Sequence, residues 1–128
     1  MGDEDYVFGG AEEKEKVTLG EQQRLFAKLV GQLLQYIYEH GYECTLDWAY
    51  RPPEIAAQYQ VSGKGIANSL HCKRLAIDLN LFKDGQWLSK SNDHTPIGEW
   101  WESLHPLARW GGRWQDGNHY SLEYERVK

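Results

Sequence analysis

Five residues carry groups that could do chemistry together: Arg51, His71, Asp78, Asp116 and His119. Asp78 raises the question first, because it lies between Ile77 and Leu79 in the strand-like run RLAIDLNLF. A carboxylate there loses its water, which costs several kcal/mol unless the charge is paired or metal-bound. His71 precedes it and His119 lies in a second strand-like run, so His, Asp and His make a three-ligand set. Zinc held by three protein ligands keeps a fourth position for water, whose pKa it lowers to about 7. Asp116, three residues before His119, is placed to approach such a metal without ligating it and to act as general base. Arg51 supplies a cation for a substrate carboxylate or a developing oxyanion. Residue types alone leave plainer readings open. A strand Asp can be hydrogen-bonded to a Ser or Arg, His71 can be a satisfied polar residue, and Arg51 can form a surface ion pair.

The elements that must position these groups follow from periodicity. Thr18 and Glu21 form a capping-box pattern ahead of Leu25, Phe26, Leu29, Val30, Leu33, Leu34, Ile37 and Tyr38, which predicts a helix over 19–40 stopped at Gly41. Residues 42–50 alternate and predict a half-buried strand with Tyr42, Cys44, Leu46 and Trp48 on one face. Pro52-Pro53 predicts a short helix over 53–60, and 61–68 a loop. A second strand is expected over 74–82, then a hairpin turn at Lys83-Asp84-Gly85-Gln86. His71 and Asp78 have opposite parity, so His71 belongs to the loop ahead of that strand. Thr95-Pro96 opens a helix containing Trp100, Trp101 and Leu104, and 119–124 reads as a last strand. Helices and hairpin-like strands without βαβ regularity indicate an α+β fold, a small antiparallel sheet with helices packed on it. Trp48, Trp110 and Trp114 either wall a groove or fill the core. His40, His94 and His105 are expected at the surface or at helix ends, away from any metal.

Composition narrows the function classes. The 128 residues suit one domain, read as 18–128 behind an acidic, flexible tail over 1–17. The net charge of −5 and the lack of a basic stripe argue against nucleic-acid binding. No apolar run is long enough to span a membrane, and no secretory signal is apparent, so synthesis in the cytoplasm is expected. The two cysteines, Cys44 and Cys72, lack CxxC spacing; they are read as reduced, with a single bridge as the alternative. A monomer is the default expectation.

The spacing Ser69-Leu70-His71, then Asp78, then Asp116-x-x-His119 resembles the zinc-binding pattern of a peptidase family. That family comprises the D-alanyl-D-alanine carboxypeptidases and phage L-alanyl-D-glutamate endopeptidases, with a hedgehog-like zinc fold. Its pattern S-x-H-x-x-G-x-A-x-D is matched by Ser69, His71, Ala76 and Asp78, and Tyr50-Arg51 and Gln58 are similar to a further element. The resemblance implies zinc bound by His71, Asp78 and His119, Asp116 as base, and Arg51 binding substrate or stabilising the transition state. It implies that Ser69 hydrogen-bonds near the site, and that a peptidoglycan stem peptide lies in a groove walled in part by Trp114. Arg74 stands where the family often has Gly, which predicts an ordinary φ at this position. Ser121-Leu122 follow where many members have a Glu soon after the second His. An Asp base resembles the phage enzymes and implies an endolysin, acting on the cell wall after release or carried in a virion. The alternatives are a carboxypeptidase removing terminal D-alanine, and a non-catalytic zinc-stabilised virion or binding domain.

Overall fold

The computed structural model describes residues 5–8, 15–63 and 69–128. Helix α1 (Leu19–Glu39) starts where the capping box places it. Thr18 Oγ1 accepts from the Glu21 N–H at 3.1 Å, and Glu21 Oε1 accepts from the Thr18 N–H at 2.9 Å. Its buried stripe is Phe26, Leu29, Leu33 and Ile37, and Gly41, with φ +84°, takes the chain out of the helix.

That stripe covers one face of a five-stranded antiparallel sheet. Strand β4 (Ala76–Lys83) is central. β3 (Glu43–Leu46) lies along one edge, while β7 (His119–Leu122) and β5 (Gln86–Leu88) share the other, and β6 (Ala108–Trp110) pairs with β7. Ile77, Leu79 and Leu81 are buried on the helix side. Asp78, Asn80 and Phe82 take the opposite face by pleat parity. The β4–β5 hairpin turns at Asp84 (φ +51°) and Gly85 (φ +76°), the left-handed pair that a two-residue hairpin of this hand requires. Helix α3 (Thr95–Ser103) closes the core with Trp101, whose Nε1 donates to the carbonyls of Arg109 and Ser121 at 3.0 and 3.2 Å. Helix α2 (Pro53–Val61) follows β3 in the chain, and the loop expected over 61–68 begins after Val61, with 64–68 outside the described residues. Among the described residues no helix is long and apolar enough to cross a membrane.

Several expectations are corrected. The strand read over 42–50 ends at Leu46, and Leu46 is 62% exposed. The alternation breaks because the chain inserts an extra residue. Asp47 N–H donates to the Asp78 carbonyl at 2.9 Å while Asp78 N–H donates to the Trp48 carbonyl at 2.8 Å, so two residues oppose one, as in a β-bulge. Within the segment read as a flexible tail, β1 (Asp5–Phe8) and β2 (Glu15–Thr18) pair as antiparallel strands. The rest of that segment lies outside the described residues. Trp110 is core rather than groove wall: it is 3% exposed, and its Nε1 donates to the Gly117 carbonyl at 2.7 Å. Its ring fills the space that a side chain at Gly112 would need.

His94, expected at the surface or at a helix end, stands at the N-terminal end of α3 but is buried, and its Nδ1 and the Tyr120 hydroxyl are hydrogen-bonded at 2.8 Å. Burial lowers its imidazole from 6.5 to about 4, against a weaker upward pull from Asp93. Between those two values the unfolded chain carries a proton at His94 that the folded chain refuses. His94's contribution to stability is therefore complete above pH 6.5 and is lost as the pH falls towards 4. Denaturant titrations at about pH 7 and pH 4.5 are expected to show that the wild type loses about 2 kcal/mol more than His94→Gln. Equal losses would contradict the buried neutral imidazole.

Candidate metal centre

The centre is assembled from one turn and two paired strands. His71 sits in a short 3-10 turn, Leu70–Lys73, ahead of β4, as strand parity requires. Ser69 caps that turn: its Oγ accepts from the His71 N–H at 3.1 Å, and Ser69 is itself buried. The His71 carbonyl accepts from the Arg51 N–H at 3.1 Å, which ties the turn to the end of the bulged strand. Asp78 and His119 are direct cross-strand partners on β4 and β7, so their side chains leave one face of the sheet together.

Arg74 corrects an expectation. It lies in the left-handed region, φ +59° and ψ +36°, where the turn swings into β4, so this position does need positive φ. A non-glycine residue there costs about 1–2 kcal/mol. The Arg74 guanidinium rests 4.1 Å from the Tyr50 ring centre, an exposed contact that offsets about 0.5–1 kcal/mol of it. The second strand consequently begins at Ala76 rather than at 74.

His71, Asp78 and His119 each offer one ligand atom, all within 4.8 Å of one another. Asp78 Oδ1 lies 3.2 Å from His71 Nε2 and 3.5 Å from His119 Nδ1. The two rings sit at 73° with centroids 5.3 Å apart. His71 Nδ1 faces the Ala49 carbonyl at 3.3 Å, so Nδ1 is the protonated nitrogen and the Nε2 lone pair points at the centre. Asp78 Oδ1 is buried and has no hydrogen-bond partner among the described residues. A carboxylate oxygen and imidazole nitrogens converging without hydrogen bonds are the donor set that a divalent metal resolves, by sharing all the lone pairs.

Around this core lie the other residues singled out by the sequence. Asp116 Oδ2 is 4.0 Å from His119 Nδ1, and its side chain is 51% exposed. Burial of the remainder raises its carboxyl, with the nearby imidazole of His119 pulling the other way. A tight turn holds the pair, since His119 N–H donates to the Asp116 carbonyl at 3.1 Å and Asp116 N–H to the Gly111 carbonyl at 2.8 Å. Gly111 is required here, because a side chain would run into the Asp116 carbonyl and crowd the His119 Cβ. Trp114 is 41% exposed, with its ring centre 5.8 Å from that of His119. Arg113 holds its short turn to α3 through Glu102. Arg51 is 7% exposed, and its Nη2 is 3.7 Å from Asp78 Oδ2, the oxygen turned away from the histidines. His119 Nε2 and Ser121 Oγ are both buried with no hydrogen-bond partner among the described residues, near the position where the resemblance anticipates a Glu. Cys44 and Cys72 are free thiols. The Ala49 carbonyl and Tyr59 also reach the site; neither has a sequence signal, since one is backbone and the other depends on where α2 packs.

Residues 62–122 match the sequence model of a family described as D-alanyl-D-alanine carboxypeptidase. No curated protein matches the chain. Among solved structures, the fold is similar to that of the Serratia marcescens L-Ala D-Glu endopeptidase ChiX. The TM-score is 0.66 at 17% identity, over 81% of this chain and 85% of that one. It is also similar to a mutant of the vancomycin-resistance D,D-pentapeptidase VanY, from a VanB-type resistance cassette, in complex with Zn(II). There the TM-score is 0.51 at 15% identity, over 94% of this chain and 78% of that one. At such identities the likeness is one of fold, and the α+β architecture expected from the sequence holds, as does the family resemblance.

Removing the cap of the His71 turn tests how the centre is held. Ser69→Ala leaves the buried His71 N–H without its acceptor, and a loss of about 1 kcal/mol is expected in denaturant titrations. An unchanged midpoint would show that Ser69 does not position His71.

Proposed function

We propose, from the place of its pattern and fold in the D-alanyl-D-alanine carboxypeptidase family, that this chain is a zinc-dependent peptidase cutting peptidoglycan stem peptides. The observation that carries the reading is the convergence of His71 Nε2, Asp78 Oδ1 and His119 Nδ1, with Asp78 Oδ1 buried and free of hydrogen bonds. Two imidazoles and one carboxylate suit zinc, and a three-residue set leaves a position open for chemistry. Zinc, when bound there, polarises a scissile carbonyl and acidifies a water.

The chain's own groups supply the rest. Asp116 is half exposed beside His119, so its carboxylate reaches the site without being locked into it. It takes the proton of the attacking water and returns it to the leaving amine. The raised carboxyl suits both tasks, since a base closer to neutrality also makes a competent acid. Arg51, buried beside Asp78 Oδ2, holds a fixed positive charge where the carbonyl oxygen becomes negative. Ser69 serves through His71 rather than by facing substrate, because its Oγ is engaged with the His71 N–H. The exposed Trp114 ring walls the approach on the His119 side and offers a flat contact for the peptide.

The finer reading is an L-alanyl-D-glutamate-type endopeptidase of the phage or prophage endolysin kind. It is supported by the Asp at 116, which resembles the base of that branch, and by the likeness in fold to an endopeptidase over most of both chains. The description of the matching family model favours a second reading, a carboxypeptidase releasing terminal D-alanine. Digestion of purified sacculi, followed by mass spectrometry, is expected to reveal new amino-terminal D-glutamate; free D-alanine alone would support the second reading instead. Asp116→Ala is expected to lower turnover by about a hundredfold or more while zinc binding persists. Undiminished lysis by that variant would remove Asp116 from the mechanism.

A further inference from the structure

Arg51 is an unusual buried cation. Its Nε has no hydrogen-bond partner among the described residues, and its approach to Asp78 Oδ2, at 3.7 Å, is an ion pair rather than a hydrogen bond. Two aromatic faces meet it instead. The guanidinium carbon lies 5.1 Å from the Trp48 ring centre and 4.9 Å from that of Tyr59. The rings stand nearly perpendicular, 79° apart with centroids 6.2 Å from each other, so they form a corner with the cation seated in it. Trp48 reaches this corner only because the bulge opposite Asp78 resets its direction, and Tyr59 arrives from α2.

The corner has a purpose once the centre is charged. This argument rests on the zinc reading above. A divalent ion on Asp78 draws on the carboxylate that faces Arg51 and repels the guanidinium across a few ångströms of poorly solvated space. A long, flexible arginine would escape to water. Cation–π attraction from two rings opposes that escape, and it does not weaken when the metal takes the carboxylate. We propose that Trp48 and Tyr59 are positioning residues, which hold the Arg51 guanidinium beside the metal centre against repulsion by the metal. The held cation then meets the negative charge that develops on the substrate, with no reorganisation at the moment of reaction.

The proposal separates a clamp from a merely structural role. Trp48→Leu and Tyr59→Leu keep apolar bulk but lose the π face; Trp48→Phe and Tyr59→Phe keep it. Zinc affinity, by competition with a chromogenic chelator, and kcat and KM on a purified stem peptide are measured for each, with folding checked by circular dichroism. Each Leu variant is expected to lose about tenfold in kcat/KM, mainly in kcat, and to bind zinc as tightly as wild type or up to about tenfold more tightly, because the repelling cation is released. The Phe variants retain most activity. In an Arg51→Ala background, Trp48→Leu changes neither quantity. Zinc affinity falling together with activity would overturn the proposal, as would an undiminished loss in the Arg51→Ala background. A wild type that binds zinc and is indifferent to Trp48→Leu overturns the clamp alone, whereas a wild type that binds no zinc overturns the proposed function and the clamp with it.

Discussion

The structure turns on one carboxylate held away from water. Asp78 belongs to the central strand, paired on both sides, where desolvating a charge costs several kcal/mol after relaxation. The protein groups around it compensate only in part. Two imidazoles face Oδ1 at 3.2 and 3.5 Å, and Arg51 faces Oδ2 at 3.7 Å, none in a hydrogen bond of good geometry. The arrangement is stable in proportion to the positive charge brought to Oδ1, which makes a bound cation part of the fold's energetics as well as its chemistry.

Other features read as consequences of that constraint. The bulge at Asp47 and Trp48 wraps the β3 edge around Asp78 and delivers Trp48 and the Ala49 carbonyl to the site face. The His71 turn is fixed from several directions, by Ser69 Oγ, by the Arg51 N–H and by the left-handed Arg74. His119 is fixed by strand pairing and by the turn that also carries Asp116. His71 and His119 are therefore buried and Asp78 nearly so, whereas Asp116 is half exposed. That division suits a site in which some groups hold position and another moves a proton. Behind β7, the neutral His94 and Tyr120 add a polar contact to the core without adding charge near the centre.

Much of this was legible in the residues. The capping box and apolar stripe define α1 almost to the residue, because local hydrogen bonds and a 3.6-residue period need no tertiary knowledge. The Asp84-Gly85 turn is local in the same sense. The grouping of His71, Asp78, Asp116 and His119 follows from spacing and from the oddity of a strand aspartate, and the structure brings those four together. What escaped depends on contacts distant in sequence. The bulge reverses the alternation after Leu46, and no local pattern announces it. Arg74 adopts a glycine-like φ where the His71 turn swings into β4, and the ring of Tyr50, far back in the chain, offsets part of the cost. His94 does stand at a helix end, but its burial depends on Tyr120 from β7, and only Gly112 and the Gly117 carbonyl decide between the two readings of Trp110 in favour of the core.

The central claim is that Asp78 is buried because a metal shares its charge. Metal-stripped protein titrated with zinc, with binding and unfolding stability followed together, tests it directly. The account predicts one zinc per chain and stability rising with free zinc as mass action requires, with both effects abolished in Asp78→Asn. A wild type that binds no zinc, or an Asp78→Asn variant that binds and is stabilised as the wild type is, would contradict it.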